Sequence, residues 1–336
     1  MPEMMYRQAL NQALREEMQR DDSVFVIGED VGEYEGAYRV TEKLLAEFGE
    51  KRILDTPISE EVIVGVGIGA AMLGLRPVVE LMTINFSLLA MDQIINHAAK
   101  IHYMSNGQFS VPMVIRAPEG SGMQLGAQHS QHFESYFVHV PGLKVVAPGT
   151  PYDAKGLLKS AIRDDNPVIF IEGQLLYSRR GEVPDADYTV PIGVADVKRQ
   201  GTDVTICCWL HTVGMSLAAA ESVARDGISA EVVDLRTLRP MDADALTASV
   251  KKTHRAVIVE EAWPQSGVGA QIADDLQRLA FDYLDGPILR VTQEDVPMPY
   301  SRELELSALP NQEKIVTAVK QVLGETIPQS VVAASI

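Results

Sequence analysis

Apolar, β-branched runs recur along the chain between segments that have helical periodicity. They are Val24–Ile27, Val78–Met82, Met113–Arg116, Lys144–Ala147, Val168–Ile171, Val204–Trp209, Ala230–Asp234, Ala256–Glu260 and Ile288–Val291. Runs that do not alternate with polar residues are typical of strands covered on both faces. Their alternation with helices predicts parallel or mixed sheets, and we therefore expect an α/β fold.

The intervening helices have recognisable ends. Met5 to Arg20 carries apolar residues at helical spacing, which predicts an amphipathic helix. Thr150, followed by Pro151 and by Asp153, predicts the capped start of another helix. Pro167 predicts that this second helix ends before it, because proline disfavours helical backbone in the preceding residue.

The length of 336 residues favours two domains. Between Tyr177 and Gln200 the regular pattern stops, and prolines, glycine and acidic residues accumulate. We predict a first domain at 1–185, a linker at 186–200 and a second domain at 201–324. The last residues, 325–336, are predicted to be a flexible tail.

Charge and cysteine content narrow the class of protein. The 29 basic and 46 acidic side chains give a net charge of −17, which argues against binding to nucleic acid or anionic membranes. This charge suits a basic protein partner, and solubility alone explains it equally well. Cys207 and Cys208 are adjacent in an apolar run and are expected to be buried thiols in a reducing compartment. With no secretory signal at the N-terminus and no apolar run long enough to span a bilayer, we expect a cytoplasmic protein.

The glycine-rich segments do not match a nucleotide-binding motif. Gly65, Gly67 and Gly69 lack the third glycine of the dinucleotide fingerprint, and Gly267 and Gly269 also fail its spacing. A nicotinamide dehydrogenase is therefore a distant alternative. Small residues on a helix let another backbone come close, so we predict that the first segment packs against a helix, within the fold or across a subunit interface.

Three kinds of side chain could carry chemistry. Glu60 lies at a strand-to-helix junction, where it could exchange protons with a ligand, although its position alone favours a structural role, with Ser59 as the cap and the helix dipole stabilising the acid. His129 lies in a loop-like segment and suits proton transfer, whereas a zinc site with His132 is disfavoured because the flanking carboxylates are missing. Phe86 follows a strand, where ligands of α/β sheets bind, but an ordinary core aromatic is the default interpretation of this residue.

A series of motifs connects these residues. In order they are Asp55–Glu60, Met82–Ser87, Met91–Asn96, Gly126–Gln131, Pro141–Val146, Arg163–Pro167 and Asp295–Tyr300. Over about residues 4 to 323 the chain resembles the β subunit of the thiamine-diphosphate-dependent decarboxylase component of 2-oxo acid dehydrogenase complexes. The resemblance implies a pyrimidine-binding domain followed by a transketolase C-terminal-like domain.

The resemblance also implies an α2β2 heterotetramer. The chain has no Gly-Asp-Gly motif for magnesium and diphosphate, so the α subunit is expected to hold that half of the thiamine diphosphate. A further expected partner is the dihydrolipoamide acyltransferase core, which would dock on the second domain through a basic module that suits this acidic chain. Alone, the chain should form half of an active site.

The resemblance assigns roles to individual residues. It implies that Glu60 hydrogen-bonds the pyrimidine ring, that Phe86 and Met82 contact this ring, and that His129 donates a proton during transfer of the acyl group to lipoamide. It further implies a potassium site, formed mainly by backbone oxygens of four residues. These are Met113, Ala161, Asp164 and Asn166.

The motif at Met82–Phe86 favours pyruvate as the substrate. Branched-chain 2-oxo acids and acetoin stay open as alternatives, because much of the pocket should belong to the α subunit. A noncatalytic assembly subunit with the same fold is the rival hypothesis from another class.

Overall fold

The computed structural model describes residues 2–324; the predicted tail at 325–336 lies outside the described residues. The chain divides into two compact units. The first unit takes the chain up to residue 119 together with 136–192, and the second takes 120–135 together with the chain from 193 onward. Among the described residues, no helix is both long and apolar enough to cross a membrane.

The helices and strands that lie before residue 193 are, in chain order, β1 (Glu3–Met5), α1 (Tyr6–Arg20), β2 (Val24–Gly28), α2 (Leu44–Phe48), β3 (Ile53–Asp55), α3 (Glu60–Met72), β4 (Arg76–Glu80), α4 (Ile101–Met104), β5 (Val114–Glu119), α5 (Glu134–Val138), β6 (Lys144–Val146), α6 (Pro151–Arg163), β7 (Val168–Gly173) and β8 (Arg180–Glu182). A 3-10 helix, Ile84–Ala90, and a π-helical segment, Gln93–Ala98, follow β4.

Six strands of the first unit form a parallel sheet in the order β6-β7-β5-β4-β2-β3. Every residue of β2, β5 and β7 is buried, as the unbroken apolar runs predicted. Thr150 caps α6 by accepting a hydrogen bond from the backbone N–H of Asp153 at 3.1 Å, and Pro151 occupies the first turn. The α/β class and this helix start are thus confirmed.

The second unit contains β9 (Asp196–Arg199), β10 (Val204–Cys208), α7 (Thr212–Ala224), β11 (Ala230–Asp234), β12 (Thr237–Arg239), α8 (Ala243–Thr253), β13 (Ala256–Val259), α9 (Val268–Ala280), β14 (Leu289–Val291), α10 (Arg302–Ala308) and α11 (Gln312–Val322). Five of these strands form a mixed sheet in the order β14-β13-β10-β11-β9, with only β9 antiparallel among them. Both cysteines lie buried and free in β10.

The segment at 177–200 is more regular than its composition indicated. β8 pairs with β1, and β9 pairs with β11 through a register shift, so two short strands occupy a segment that we expected to be extended and without regular structure. Most of their residues are polar, and all are either partly buried or exposed, so these strands carry no apolar run that a sequence pattern can detect. The grouping of 120–135 with the second unit was not foreseen either.

Candidate active site

Glu60 is the first residue of α3, which begins after a four-residue connection from the end of β3. Its side chain is buried, with 5% exposure, whereas the neighbouring Glu61 is exposed. Ser59 does not cap the helix as one interpretation expected, since its hydroxyl donates to the carbonyl of Pro57 at 3.0 Å. The Glu60 carboxyl therefore stands at the positive end of the helix, buried at the carboxyl edge of the sheet.

Glu29 is a second acidic residue at this edge, and sequence reasoning missed it. It follows β2, which lies between β3 and β4 in the sheet. Burial raises the pKa of Glu29, and the negative charges of Asp30 and Glu60 raise it further. An acidic residue directly after a fully buried strand was the signal that could have found it. Glu29 and Glu60 thus interact as two carboxyl groups at one sheet edge.

The loop after β2 is held by Asp55, the last residue of β3. Its two carboxylate oxygens accept hydrogen bonds from the backbone N–H groups of Gly32, at 2.6 Å, and Glu33, at 3.1 Å. A Cβ at Gly32 would lie 2.6 Å from the Asp55 carboxylate, so glycine is needed at this position. This contact orders the chain next to Glu29.

Met82 and Phe86 follow β4, on the other side of β2 from Glu60, and both are half-buried. Phe86 lies in the 3-10 helix, with its backbone N–H bonded to the carbonyl of Thr83 at 3.1 Å. The hydroxyl of Thr83 accepts from the amide group of Asn85 at 2.7 Å. Strands β3 and β4 are two positions apart in the sheet, or about 10 Å, so the acidic Glu60 and the apolar Met82 and Phe86 follow strands on either side of β2.

A buried ionic network lies in the same sheet. Arg116 in β5 donates to both carboxylate oxygens of Glu172 in β7, at 2.7 and 2.6 Å, and also to Glu80 at the end of β4. Tyr177 donates its hydroxyl to Glu172 at 2.7 Å, and Tyr38 stacks on Tyr177 with ring centroids 4.6 Å apart. Burial raises the pKa of Glu80 and of Tyr177. Sequence analysis gave no sign of this network.

His129 belongs to the second unit and is exposed. It lies in a loop, as predicted, and its backbone N–H donates to the carbonyl of Gly126 at 3.2 Å. Among the predicted site residues, Glu60, Met82 and Phe86 thus share a sheet edge in the first unit, and His129 stands on a loop of the second.

The residues of the predicted potassium site lie near the opposite, amino-terminal edge of the first sheet. Met113 precedes β5, and its carbonyl accepts from the N–H of Val168 at 2.9 Å. Arg76 donates to the carbonyl oxygens of Ile162 and Asp164, each at 3.0 Å. Potassium binding stays a prediction, and Arg76 is a cationic group that already contacts two of the local carbonyls.

Comparison with known proteins identifies the family. Residues 2–179 match the family model for the transketolase pyrimidine binding domain, and residues 193–315 match that for the transketolase C-terminal domain. The solved structure of a split-gene transketolase, an inactive β4 tetramer, superposes with a TM-score of 0.79 at 24% identity, covering 95% of this chain and 98% of its own. The fold is therefore that of a two-domain protein of the transketolase class.

Sequence relatives define the family more narrowly. A pyruvate dehydrogenase E1 component subunit beta of Rhizobium meliloti is 53% identical over 323 residues, covering 96% of this chain and 70% of the relative. The mitochondrial beta-2 subunit of Oryza sativa is 50% identical over 335 residues, with 98% and 89% coverage, and the Caenorhabditis elegans subunit is 51% identical, with 96% and 93%. The chain belongs to the family of pyruvate dehydrogenase E1 component β subunits. The resemblance predicted from the motifs is confirmed.

Proposed function

We propose that this chain is the β subunit of a pyruvate dehydrogenase (acetyl-transferring). With an α subunit, in an α2β2 heterotetramer, it oxidatively decarboxylates pyruvate on thiamine diphosphate and reductively acetylates the lipoamide of an acyltransferase core. The observation that carries the proposal is the buried Glu60 carboxyl at a helix N-terminus, beside Glu29, in a chain about 50% identical to named β subunits.

The residues at the sheet edge suit the pyrimidine half of thiamine diphosphate. A ring with polar nitrogens and apolar faces needs a carboxyl group on one side and apolar contacts on another, and Glu60 with Met82 and Phe86 offers both. When bound, this cofactor supplies the electron sink for decarboxylation, and the protein supplies orientation and electrostatics. We assign to Glu60 the holding of a proton at the pyrimidine nitrogen, and to Phe86 and Met82 the packing against the ring.

The diphosphate and magnesium are assigned to the α subunit, because this chain lacks the Gly-Asp-Gly motif. The outward face of α3 supports a partner there. Val62 and Val66 are 60% and 49% exposed, at spacings that place them on one face of the helix with Gly69, and Leu73, directly after the helix, is 87% exposed. An apolar helix stripe of this kind is covered in a stable assembly. The net negative charge of the chain also suits a basic docking module on the acyltransferase core. The cytoplasm is the proposed location of this protein.

The test uses the chain coexpressed with its candidate α subunit. Pyruvate-dependent reduction of an artificial electron acceptor, with thiamine diphosphate and magnesium, should appear only in the pair. Glu60→Gln should lower turnover by at least about 100-fold, because a positioned proton-transfer group contributes that much. The matched control is Glu61→Gln, which makes the same change at the exposed neighbour and should retain activity.

The outcomes separate the hypotheses. Full turnover of an assembled Glu60→Gln pair would remove Glu60 from the chemistry and favour the noncatalytic assembly subunit. A well-formed wild-type pair that acts on branched-chain 2-oxo acids or acetoin, and not on pyruvate, would move the substrate to that class.

A further inference from the structure

The loop at 120–135, which carries His129, has an unusual backbone. Four alternate residues have positive φ, and the chain curves so that the N–H groups of Gly122 and Gln124 converge. The four residues are Gly120 at 126°, Gly122 at 95°, Gln124 at 57° and Gly126 at 78°. Such a curve of N–H groups binds an anion. Gln124 adopts this conformation although a side chain disfavours it, so something must hold the loop in place.

The Glu305 side chain is the anion in this curve. Its carboxylate accepts from the N–H of Gly122 at 2.8 Å and from that of Gln124 at 3.2 and 3.1 Å. Glu305 lies in α10 and is fully buried, whereas Glu303 in the same helix is exposed. Charge-assisted hydrogen bonds in a buried setting are among the stronger polar contacts.

Other contacts of the second unit complete the attachment. The indole N–H of Trp209 donates to Glu134 at 3.2 Å, at the far end of the loop. Ser121 donates its hydroxyl to the carbonyl of Ser130 at 3.2 Å and closes the loop across its base. His129 is therefore three residues from Gly126 in a loop whose two ends are both fixed.

We propose that Glu305 is a positioning residue for His129: its carboxylate holds the loop in the shape that presents the imidazole to the lipoyl group. The inference rests on the proposed function, in which His129 serves acyl transfer to lipoamide. Glu305 acts through the backbone of Gly122 and Gln124 and takes no direct part in the reaction. The contact joins residues 183 apart in the chain, and no motif indicates it.

The test compares two assays on the coexpressed heterotetramer. In Glu305→Gln, the remaining carbonyl oxygen can still accept from Gly122 and Gln124, but the negative charge and the second acceptor for the Gln124 N–H are lost, and the NH2 group that replaces that acceptor faces an N–H donor. Reductive acetylation of a free lipoyl domain should fall by at least about ten-fold in kcat, since small displacements of a reacting group have effects of this size. Pyruvate-dependent reduction of an artificial acceptor, which needs no lipoyl group, should fall much less. Glu303→Gln, with the same charge change on the exposed side of α10, should match wild type in both assays.

A double variant supplies a second readout. If Glu305 works through His129, adding Glu305→Gln to His129→Ala should cause no further loss of acetylation. The amides of Gly122 and Gln124 should also exchange hydrogen faster in Glu305→Gln. Should that variant fail to assemble, Glu305→Asp, which keeps the charge but shortens the reach, replaces it under the same criteria.

The results are decisive in either direction. Unchanged acetylation by Glu305→Gln, equal losses in both assays, or additive losses with His129→Ala would overturn the positioning role. A wild-type pair that does not turn over pyruvate at all would instead refute the proposed function, before any variant is compared.

Discussion

The Arg116 guanidinium and the Glu172 carboxylate form a two-point ion pair inside the first unit, with both N–O distances between 2.6 and 2.7 Å. The two side chains are 1% and 0% exposed. Glu80 contacts the same guanidinium, so one cation serves two buried carboxyl groups. This network lies in strands that lead to the proposed cofactor edge. We therefore expect it to stabilise the part of the sheet that carries the site.

Removing the positive charge of Arg116 should strongly destabilise the fold. Arg116→Met leaves the Glu172 and Glu80 carboxyl groups buried without it, and we expect a loss of about 3–5 kcal/mol in the free energy of unfolding. Glu80→Gln should cost less, because burial raises the pKa of Glu80 and a neutral amide resembles its protonated form. Urea unfolding of the purified chain measures the free energy of unfolding of both variants. As a control, Arg278→Met removes an exposed ion pair with Asp275 and should change stability by less than about 1 kcal/mol. Equal effects of Arg116→Met and Arg278→Met would contradict the expected role of the network.

Glu16 should make stability depend on pH. Burial raises the pKa of Glu16, but hydrogen bonds and charges from Lys155 and Lys159 outweigh it and hold the pKa below the ordinary 4.5. A lowered carboxyl pKa stabilises the fold above that ordinary value, and the contribution is lost as the pH falls through the lowered pKa. Glu16→Gln should thus lower the free energy of unfolding at pH 7 by more than the roughly 1 kcal/mol typical of exposed ion pairs, since the two lysine side chains are almost fully buried.

The difference in stability between wild type and Glu16→Gln should shrink as the pH falls below the ordinary carboxyl pKa of 4.5 and through the lowered pKa of Glu16. Thermal unfolding across a pH series measures it. Asp22→Asn is the matched control, because the Asp22 side chain is fully exposed and should contribute nothing measurable. A stability gap that stayed constant down to pH 2 would show that the charge of Glu16 is not its source.

Two glycines of α3 should respond in opposite ways. A Cβ at Gly67 would lie 2.7 Å from the side chain of Val79, so Gly67→Ala should destabilise the chain by about 1–3 kcal/mol. A Cβ at Gly69 would meet no described heavy atom within 4 Å. Gly69→Leu should therefore preserve the stability of the chain and weaken its association with the α subunit.

Size-exclusion chromatography with light scattering measures assembly, and thermal unfolding measures the stability of the chain alone. If Gly69→Leu assembled as tightly as wild type, the outward face of α3 would not be part of the interface.

Phe86→Ala should weaken cofactor binding. Loss of an aromatic contact with the pyrimidine ring should raise the apparent Kd for thiamine diphosphate by about ten-fold. Titration of the heterotetramer with thiamine diphosphate, monitored by circular dichroism, measures this Kd. The Kd of Phe86→Leu should lie between those of wild type and Phe86→Ala, because leucine keeps apolar volume. An unchanged Kd in Phe86→Ala would place the aromatic ring in the core rather than in the cofactor site.

Much of the fold followed from local patterns. Strand β11 lies at 230–234 as predicted, and α6 begins after Thr150 because the cap, the proline and the acidic residue act within one turn. The polar strands β8 and β9 were missed because pairing, not composition, makes them strands. The roles of Glu60, Phe86 and His129 came from the order of the motifs, and they stay predictions that the experiments above test.

The sequence by itself determined the α/β class, the family and the position of Glu60 at a strand-to-helix junction, because each depends on neighbouring residues or on motif order. Only the tertiary structure decided that Glu29 interacts with Glu60, that Arg116 is shared by Glu80 and Glu172, and that Glu305 holds the loop of His129. These contacts join residues tens to nearly two hundred positions apart. Their geometry arises when strands are ordered side by side and loops are packed, which no local pattern of residues encodes.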